Sequence, residues 1–201
     1  MKWIAISPKE IKVCGELLKM ESSGIAMLTE AYRQFINDYP KFFKMDGLCK
    51  LGFVASELLL QQENTPRFVT RDDRSVILFN HSGSIDADKN YQMTISNDED
   101  YFPSPAMFVY TLPNIITGEI AIRNKYYGET SFYVLDTFSA EMIINVCAST
   151  LCDNATKSVL AGWLDYADEQ HFCGIIFLSD CVKKENTQLM IDQINKIYND
   201  L

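Results

Sequence analysis

Short apolar runs of strand length alternate with amphipathic segments of helical length along much of the chain, and this alternation limits the possible fold more than any other feature. Val76–Phe79 is an apolar run bounded by polar residues, which is typical of a strand covered on both faces. Ser131–Leu135 is rich in β-forming residues and is predicted to be a second buried strand. Lys157–Leu164 and Phe172–Ser179 are two further strand candidates. Strands that alternate with helices predict an α/β fold with a mixed, mostly parallel sheet and helices on both faces.

The first two helical segments precede the first predicted strand. Ser22 and Ser23 can cap a helix whose apolar residues recur at spacings of three and four, and Pro40 ends that pattern. Asp46 is a plausible cap for the second helix, which carries its own apolar stripe. We therefore expect two helices to precede the strand at Val76–Phe79.

The later helices also have recognisable ends. Ser104 followed by a proline marks a helix start, and the apolar pattern breaks near Leu112 before it resumes, which predicts two short helices. Ser139–Cys152 is predicted to be a helix, and the apolar face of Met190–Tyr198 predicts a closing one.

Length and charge restrict the class of protein. The chain has 201 residues, which suits one domain spanning 1–201. Eighteen lysines and arginines against 27 acidic residues give a formal net charge of −9, whose field repels a phosphate backbone, so nucleic-acid binding is not expected. No run reaches the roughly 18 apolar residues of a membrane span, and Trp3–Ile6 is too short for a signal-peptide core. These features predict a cytoplasmic protein.

The cysteines and glycines indicate neither a metal centre nor a cofactor. The six cysteines form no Cys-x-x-Cys pair and are expected to be reduced, buried and free of zinc. The glycine motifs that bind dinucleotides and phosphates are missing, so no cofactor is expected. Asp86–Asn90 matches the start of an EF-hand loop, but Tyr91 replaces the required glycine and Asn97 the closing glutamate. A capped surface turn is predicted there instead of a calcium site.

Two histidines and one basic cluster are the remaining candidates for chemistry or docking. His81 follows a predicted strand, where open α/β sheets often place ligand-binding residues, and His171 lies at a turn. Any mechanism that pairs a nucleophile with an imidazole has to use one of them. Lys41, Lys44 and Lys50 form a basic patch that is either a solvated face or a docking surface for an acidic partner.

Four stretches, in order, resemble the N-terminal half of a β-ketoacyl synthase, which has the thiolase-like fold. They are residues 39–46 (YPKFFKMD), 104–121 (SPAMFVYTLPN followed by IITGEIA), 128–137, which ends in Leu-Asp-Thr, and 158–165 (SVLAGWLD). The second stretch is the most specific. The resemblance implies a thiolase-like half. It extends from about residue 40 to about residue 165, which is most of the chain.

The chain departs from this family at the nucleophile. Active synthases have a cysteine at the position where this sequence has Ser139, at the N-terminus of a helix that favours a thiolate. A serine without a neighbouring base is a far weaker nucleophile, and Glu141 adds negative charge beside it. Ser139 is therefore predicted to be a helix-start residue, and no catalytic residue is assigned. A full synthase is about twice as long, and its catalytic histidines belong to the other half.

The resemblance implies residues for an acyl pocket and for pairing. The pocket candidates are Phe108, Asn114, Phe138 and Ser139. Synthases pair through the strand before the nucleophile helix, so the predicted pairing edge consists of Ser131, Phe132, Tyr133, Val134 and Leu135. A lone half is also expected to expose apolar surface that a second half would cover.

These considerations leave three interpretations. In the first, the protein is a non-catalytic accessory subunit in fatty-acid or polyketide-type synthesis. It would form a homodimer, or a heterodimer with a synthase-like chain, and acyl carrier protein would be a further candidate partner near Lys41, Lys44 and Lys50. In the second, it is an acyl-transferring enzyme that uses Ser139 or that a partner's histidines complete. In the third, it is an α/β domain that has kept the fold and lost the ligand.

Overall fold

The computed structural model describes residues 1–97, 99, 101–152, 155–182 and 184–201, and of residue 184 only the backbone. Within these residues the strands, in chain order, are β1 Lys2–Ile6, β2 Ile11–Val13, β3 Glu16–Leu18, β4 Arg74–Asn80, β5 Thr130–Val134, β6 Ser158–Asp168 and β7 His171–Ser179. They form one sheet in the order β3-β2-β1-β7-β6-β4-β5. All seven residues of β4 are buried, which confirms the strand predicted around Val76–Phe79.

The sheet is mixed, and most of its pairs are antiparallel. β4 runs parallel to β5 and to β6, whereas β1–β2, β2–β3, β1–β7 and β6–β7 are antiparallel. The predicted α/β fold with a mixed sheet is confirmed, but the prediction of a mostly parallel sheet is wrong. The reason is local: β6 and β7 form a tight hairpin, and β1, β2 and β3 are joined by short turns that allow no crossover.

The chain begins with three strands that the apolar pattern did not predict. β1 contains Trp3–Ile6, and it pairs with β2 on one side and β7 on the other. Cys14 and Gly15 form the turn between β2 and β3 with φ of 51° and 92°, values that suit the twist of a two-residue hairpin. The two helices expected before β4 are confirmed as Gly24–Phe35 and Gly47–Leu60. The three strands ahead of them were missed, because strands of three to five residues are too short to show a clear period.

Helices cover both faces of the sheet. The described part of the chain contains seven α-helices and one 3-10 helix at Pro40–Lys44; the α-helices are α1 Gly24–Phe35, α2 Gly47–Leu60, α3 Ile85–Met93, α4 Pro105–Val109, α5 Ile115–Asn124, α6 Ala140–Leu151 and α7 Lys184–Asn199. α1, α2 and α5 share a core with β1, β4, β6 and β7 on one face. α6 and α7 pack on the other face. None of the described helices is long and apolar enough to cross a bilayer.

The outward side of α6 is largely polar. Glu141, Asn145 and Ser149 are exposed along it, and Met142 is its one exposed large apolar residue. The exposed apolar surface expected for a lone half therefore lies elsewhere. Much of it is on the segment around α4, where the exposed apolar side chains are Met93, Tyr101, Phe102, Phe108, Val109 and Leu112.

Candidate functional site

Ser139 occupies the N-cap of α6, directly after the end of β5. Its Oγ accepts a hydrogen bond of 3.1 Å from the Met142 N–H, and its backbone is extended. Such a bond satisfies one of the free N–H groups at a helix start. The predicted helix-start role of Ser139 is confirmed, and its hydroxyl oxygen serves as an acceptor within its own helix.

Neither imidazole is bonded to the Ser139 hydroxyl in the part of the chain that the structure describes. The Nδ1–H of His81 donates to the Leu135 carbonyl at 3.1 Å. His171 pairs with Asp168 at 2.8 Å in the exposed hairpin between β6 and β7. Both rings therefore have partners of their own, and among the described residues neither is bonded to Ser139 as a general base would be.

Asp165 holds the loop that follows β4. Its Oδ1 accepts hydrogen bonds from the N–H of His81 at 3.1 Å, the N–H of Ser82 at 2.9 Å and the Ser82 hydroxyl at 2.6 Å. Within the loop, the Asn80 side chain bonds both the Gly83 carbonyl and the Gly83 N–H. His81 is thus fixed through its backbone by Asp165 and through its ring by the residue after β5.

Sequence reasoning did not identify Asp165 as part of this loop. A signal was present, because the parallel register of β4 and β6 pairs Phe79 with Trp163 and so brings the two carboxyl ends to one edge. The pairing of the two strands cannot be read from the sequence, however. Without it, Asp165 is one of many acidic residues near the end of a strand.

The predicted pocket residue Phe138 lies in an aromatic stack. Its ring is parallel to Tyr198 of α7, with centroids 3.7 Å apart, and meets Trp163 edge-on at 5.5 Å. Trp163 is buried, and its side chain lies beside the Cys173 thiol. Burial also raises the pKa of the neighbouring Cys173 thiol to about 11. The closing helix therefore covers the Phe138 side of the α6 start.

The other two pocket candidates, Phe108 and Asn114, belong to a different segment of the chain, at α4 and the start of α5. Phe108 of α4 is 53% exposed, and its ring packs against the Tyr91 ring with the two centroids 5.3 Å apart. Asn114 is the exposed N-cap of α5, and its side chain makes no capping bond. An acyl pocket formed by Phe108, Asn114, Phe138 and Ser139 stays a prediction.

Lys41 differs from the rest of the predicted docking patch. Its ammonium donates to Glu119 of α5 at 2.6 Å, and this hydrogen bond raises the Lys41 pKa. Glu119 is only 4% exposed, and its second oxygen has no partner among the described residues. Lys41 is therefore occupied by an internal ion pair, whereas Lys44 is exposed and Lys50 is half-buried.

The cysteines are less uniformly buried than predicted. Cys49 and Cys147 are buried, and burial raises the pKa of Cys147 to about 12. Cys173 is half-buried, but Cys14, Cys152 and Cys181 are exposed, so the prediction of buried cysteines is wrong for those three. Each of the three lies at a turn or just beyond a helix or strand, where no layer covers the chain.

The calcium-like motif lies in a helix. Asp86–Asn90 falls within α3, so the surface turn expected there is wrong. Asp86 and Asp88 in its first turn are favoured by the helix dipole. Among the described residues, no group of three or more acidic, histidine or cysteine side chains is arranged to hold a metal ion.

The predicted pairing strand lies at an open edge of the sheet. β5 is the last strand in the sheet order, and Tyr133 and Val134 are 37% and 55% exposed, so the prediction that this strand is buried is wrong. The Leu135 N–H bonds the Asn80 carbonyl of β4. Because backbone N–H groups alternate along a strand, those of Phe132 and Val134 point away from β4. Among the described residues, no strand pairs with the outer edge of β5.

Solved structures share this fold. No family model and no curated protein matches the sequence. The ishigamide ketosynthase/chain length factor matches with a TM-score of 0.63 and 17% identity over 92% of this chain, which spans 61% of that chain's length. A chain from the ketosynthase (ApeO) in complex with its chain length factor (ApeC) from Xenorhabdus doucetiae matches with a TM-score of 0.57 and 11% identity. That match covers 96% of this chain and 90% of the other, so the two are similar in length. The chain therefore has the thiolase-like fold of ketosynthase and chain length factor proteins.

Proposed function

We propose that this protein is a non-catalytic, ketosynthase-like subunit that pairs with a ketosynthase in polyketide or fatty-acid type biosynthesis. The single observation that carries the proposal is the state of Ser139. The residue at the expected nucleophile position caps its own helix, and neither imidazole is bonded to it among the described residues. A ketosynthase-like fold with a capping serine at this position supports a role without catalysis.

The open edge of β5 supports a role in pairing. The outward N–H groups of Phe132 and Val134 offer hydrogen-bond donors to a second strand, and the exposed side chains of Tyr133 and Val134 offer apolar area. The Tyr133 ring stacks on Phe79 of β4 at 4.8 Å, which holds the edge in a fixed orientation. A chain of similar length occurs in a structure of a ketosynthase with its chain length factor, which fits a subunit of this size.

The first experiment tests the absence of catalysis. The protein is incubated with an acetyl or malonyl thioester, and its intact mass is then measured. We expect no acyl adduct, because neither imidazole is bonded to Ser139 among the described residues. An adduct that disappears in Ser139→Ala would overturn the proposal in favour of an acyl-transferring enzyme.

The second experiment tests pairing through β5. Size-exclusion chromatography with light scattering is performed on the protein alone and with the ketosynthase encoded nearest to it. Val134→Pro removes an outward N–H without removing a bond to β4, while Val134→Ala keeps that N–H and serves as the control. We expect Val134→Pro to lose the assembly and Val134→Ala to keep it. A stable monomer in both samples at micromolar concentration contradicts the proposal.

The basic patch offers a test of carrier-protein docking. With Lys41 held by Glu119, the available cations of the patch are those of Lys44 and Lys50. Lys44→Glu is expected to weaken binding of an acyl carrier protein measured by calorimetry, because the partner surface is acidic. Unchanged binding in this variant excludes the patch as the docking surface.

A further inference from the structure

A cavity of about 670 Å³ opens at the edge of the sheet opposite to Ser139. It lies where β1, β6 and β4 begin and β7 ends, four strands that are neighbours in the sheet. Since β4 has seven residues at about 3.3 Å each, this edge is about 20 Å from the loop that holds His81. The cavity is therefore separate from the region that the proposed function uses.

Elements from both faces of the sheet enclose the cavity. α7 contributes Asn186, Leu189, Met190 and Gln193. These residues recur every three or four positions and so lie on one face of the helix. The segment after α2 contributes Glu63, Asn64 and Thr65. The volume lies within the range of about 300–1,000 Å³ that is usual for small-molecule sites.

The charge of the lining differs from that of the whole chain. Four of the 18 basic residues line the cavity, against two of the 27 acidic ones, although the chain carries a net charge of −9. The four cations are Lys2, Arg71, Arg74 and Lys157, and the two carboxylates are Glu63 and Asp180.

The two arginines of the lining are held in place by internal bonds. Arg74 is only 3% exposed and binds both oxygens of Glu63, at 2.6 and 2.8 Å. Its Nε donates to the Ser158 hydroxyl at 2.9 Å. Arg71 donates to Asp73 through Nε and to Ser158 through Nη2. These bonds neutralise Glu63 and fix the guanidinium groups without filling the cavity.

The lysines are the cations left without a carboxylate bond. Among the described residues, Asp73 forms its salt bridge with Arg71 and not with Lys157, although the Lys157 charge helps to lower the Asp73 pKa. Lys2 donates to the backbone carbonyl of Gln62, which carries no formal charge. A small anion would therefore meet two ammonium groups that bond no carboxylate among the described residues, beside one further lining carboxylate, Asp180. Amide side chains from Asn64, Asn186 and Gln193 are nearby.

We infer that this cavity binds a small molecule that carries an oxyanion group, a phosphate or a carboxylate. Lys157 and Lys2 supply the charge, and Arg71 supplies a guanidinium that is already oriented. Leu178 and Met190 provide apolar surface for the body of the ligand. The inference does not depend on the proposed function, because it uses neither β5 nor Ser139.

Isothermal calorimetry of the full-length protein tests this inference, with inorganic pyrophosphate as the phosphate probe and citrate as the carboxylate probe. Each titration is compared with sodium chloride at equal ionic strength. We expect saturable binding of at least one probe, and the stronger of the two identifies the oxyanion. Lys157→Gln is expected to weaken that binding about tenfold, whereas Lys19→Gln, at an exposed lysine outside the lining, leaves it unchanged.

Three results would overturn the inference. They are no saturable binding of either probe, binding that Lys157→Gln leaves unchanged, and binding that sodium chloride reproduces at equal ionic strength. Backbone amide chemical shifts measured by NMR provide a check that does not depend on calorimetry. We expect the probe to shift Ser158, Ser179 and Asn186 and not Ser139, while shifts centred on Ser139 contradict the assignment.

Discussion

Helices α2 and α6 lie on opposite faces of the same sheet and differ in how completely they are covered. In α2, 13 of 14 residues are buried, because α1, α5 and the sheet surround it. In α6, four of 12 residues are buried, all on the side that faces the sheet and α7. The helix that begins with Ser139 is therefore a surface helix, whereas α2 is the interior helix of the fold.

The two faces also differ in where charge is buried. On the α2 side, Glu57 is 1% exposed and binds Arg67 at 2.6 Å and Arg123 at 3.3 Å. On the α6 side, the buried helix residues are Ala140, Ile143, Ile144 and Cys147. A charge can be buried beside α2 because two guanidinium groups and an amide reach it there. The comparison teaches that the α2 face combines a large apolar core with a buried charge network, whereas the buried residues of α6 are apolar side chains and a thiol.

The largest expected effect comes from breaking the buried charge network. Glu57→Ala leaves Arg67 and Arg123 without their shared carboxylate and is expected to lower the free energy of unfolding by about 3 kcal/mol or more. The measurement is urea denaturation followed by circular dichroism. Glu141→Ala, at an exposed carboxylate in the first turn of α6, is the matched control and is expected to cost less than about 1 kcal/mol. Equal losses in the two variants would contradict the difference between the faces.

The next effect tests how closely α2 is packed. A Cβ on Gly47 would overlap the phenol ring of Tyr166, which is 3% exposed, so Gly47→Ala is expected to destabilise the fold by about 2 kcal/mol. A Cβ on Gly118 of α5 meets no atom within 4 Å. Gly118→Ala is therefore expected to raise the free energy of unfolding by up to about 1 kcal/mol, as helix propensity predicts. Thermal melts that show the same sign for both variants would contradict the overlap.

A smaller effect separates the capping role of Ser139 from a chemical one. Ser139→Ala removes the bond to the Met142 N–H and is expected to cost about 1 kcal/mol of unfolding free energy. Ser139→Asp keeps a capping acceptor and is expected to restore most of that loss. Ser149→Ala, at an exposed position within α6, is expected to change stability by less than about 0.5 kcal/mol. A fully stable Ser139→Ala would show that the cap contributes nothing.

The finest difference concerns the two buried thiols, Cys49 of α2 and Cys147 of α6. Mass spectrometry after iodoacetamide treatment is expected to show labelling of Cys14, Cys152 and Cys181 first, then Cys147, and Cys49 last. Cys147 is expected to be labelled before Cys49 because α6 is covered on one side only and so opens more readily. Labelling of Cys49 before Cys147 would reverse the comparison of the two helices.

The same thiols make stability depend on pH with a definite sign. Burial raises the pKa of Cys147 to about 12 and that of Cys49 well above its ordinary value. An unfolded thiol ionises near pH 8.5, so between that pH and about 12 the unfolded chain releases protons that the native protein keeps. The stabilisation is complete below about pH 8.5 and decreases as pH rises. Urea denaturation at pH 8 and pH 10 is expected to show lower stability at the higher pH, and Cys147→Ala to show a smaller decrease.

Features that depend on neighbouring residues were predictable from the sequence. The caps at Asp46, Ser104 and Ser139 are confirmed, since each side chain accepts from an N–H three residues later. β4 is confirmed because its apolar run is uninterrupted. β1 was missed, because five residues resemble many apolar stretches and only pairing with β2 and β7 makes them a strand.

Features that depend on distant residues were not predictable. Lys41 belongs to a basic patch in the sequence, yet its ammonium reaches Glu119, 78 residues away. Asp165 and His81 meet because β4 and β6 are parallel neighbours. β5 was expected to be buried because its residues favour strands, but its place in the sheet order leaves it at an edge.

The sequence by itself indicated most of the helices but not α3, and it indicated where several helices begin and that a serine starts α6. Those properties follow from hydrophobic period and from bonds within one turn, which involve residues close together in the chain. Only the tertiary structure decided that β5 is an open edge, that α6 lies at the surface and that four cations surround one cavity. Strand order and contacts between layers bring together residues that are far apart in the chain, and a local sequence pattern does not predict that pairing.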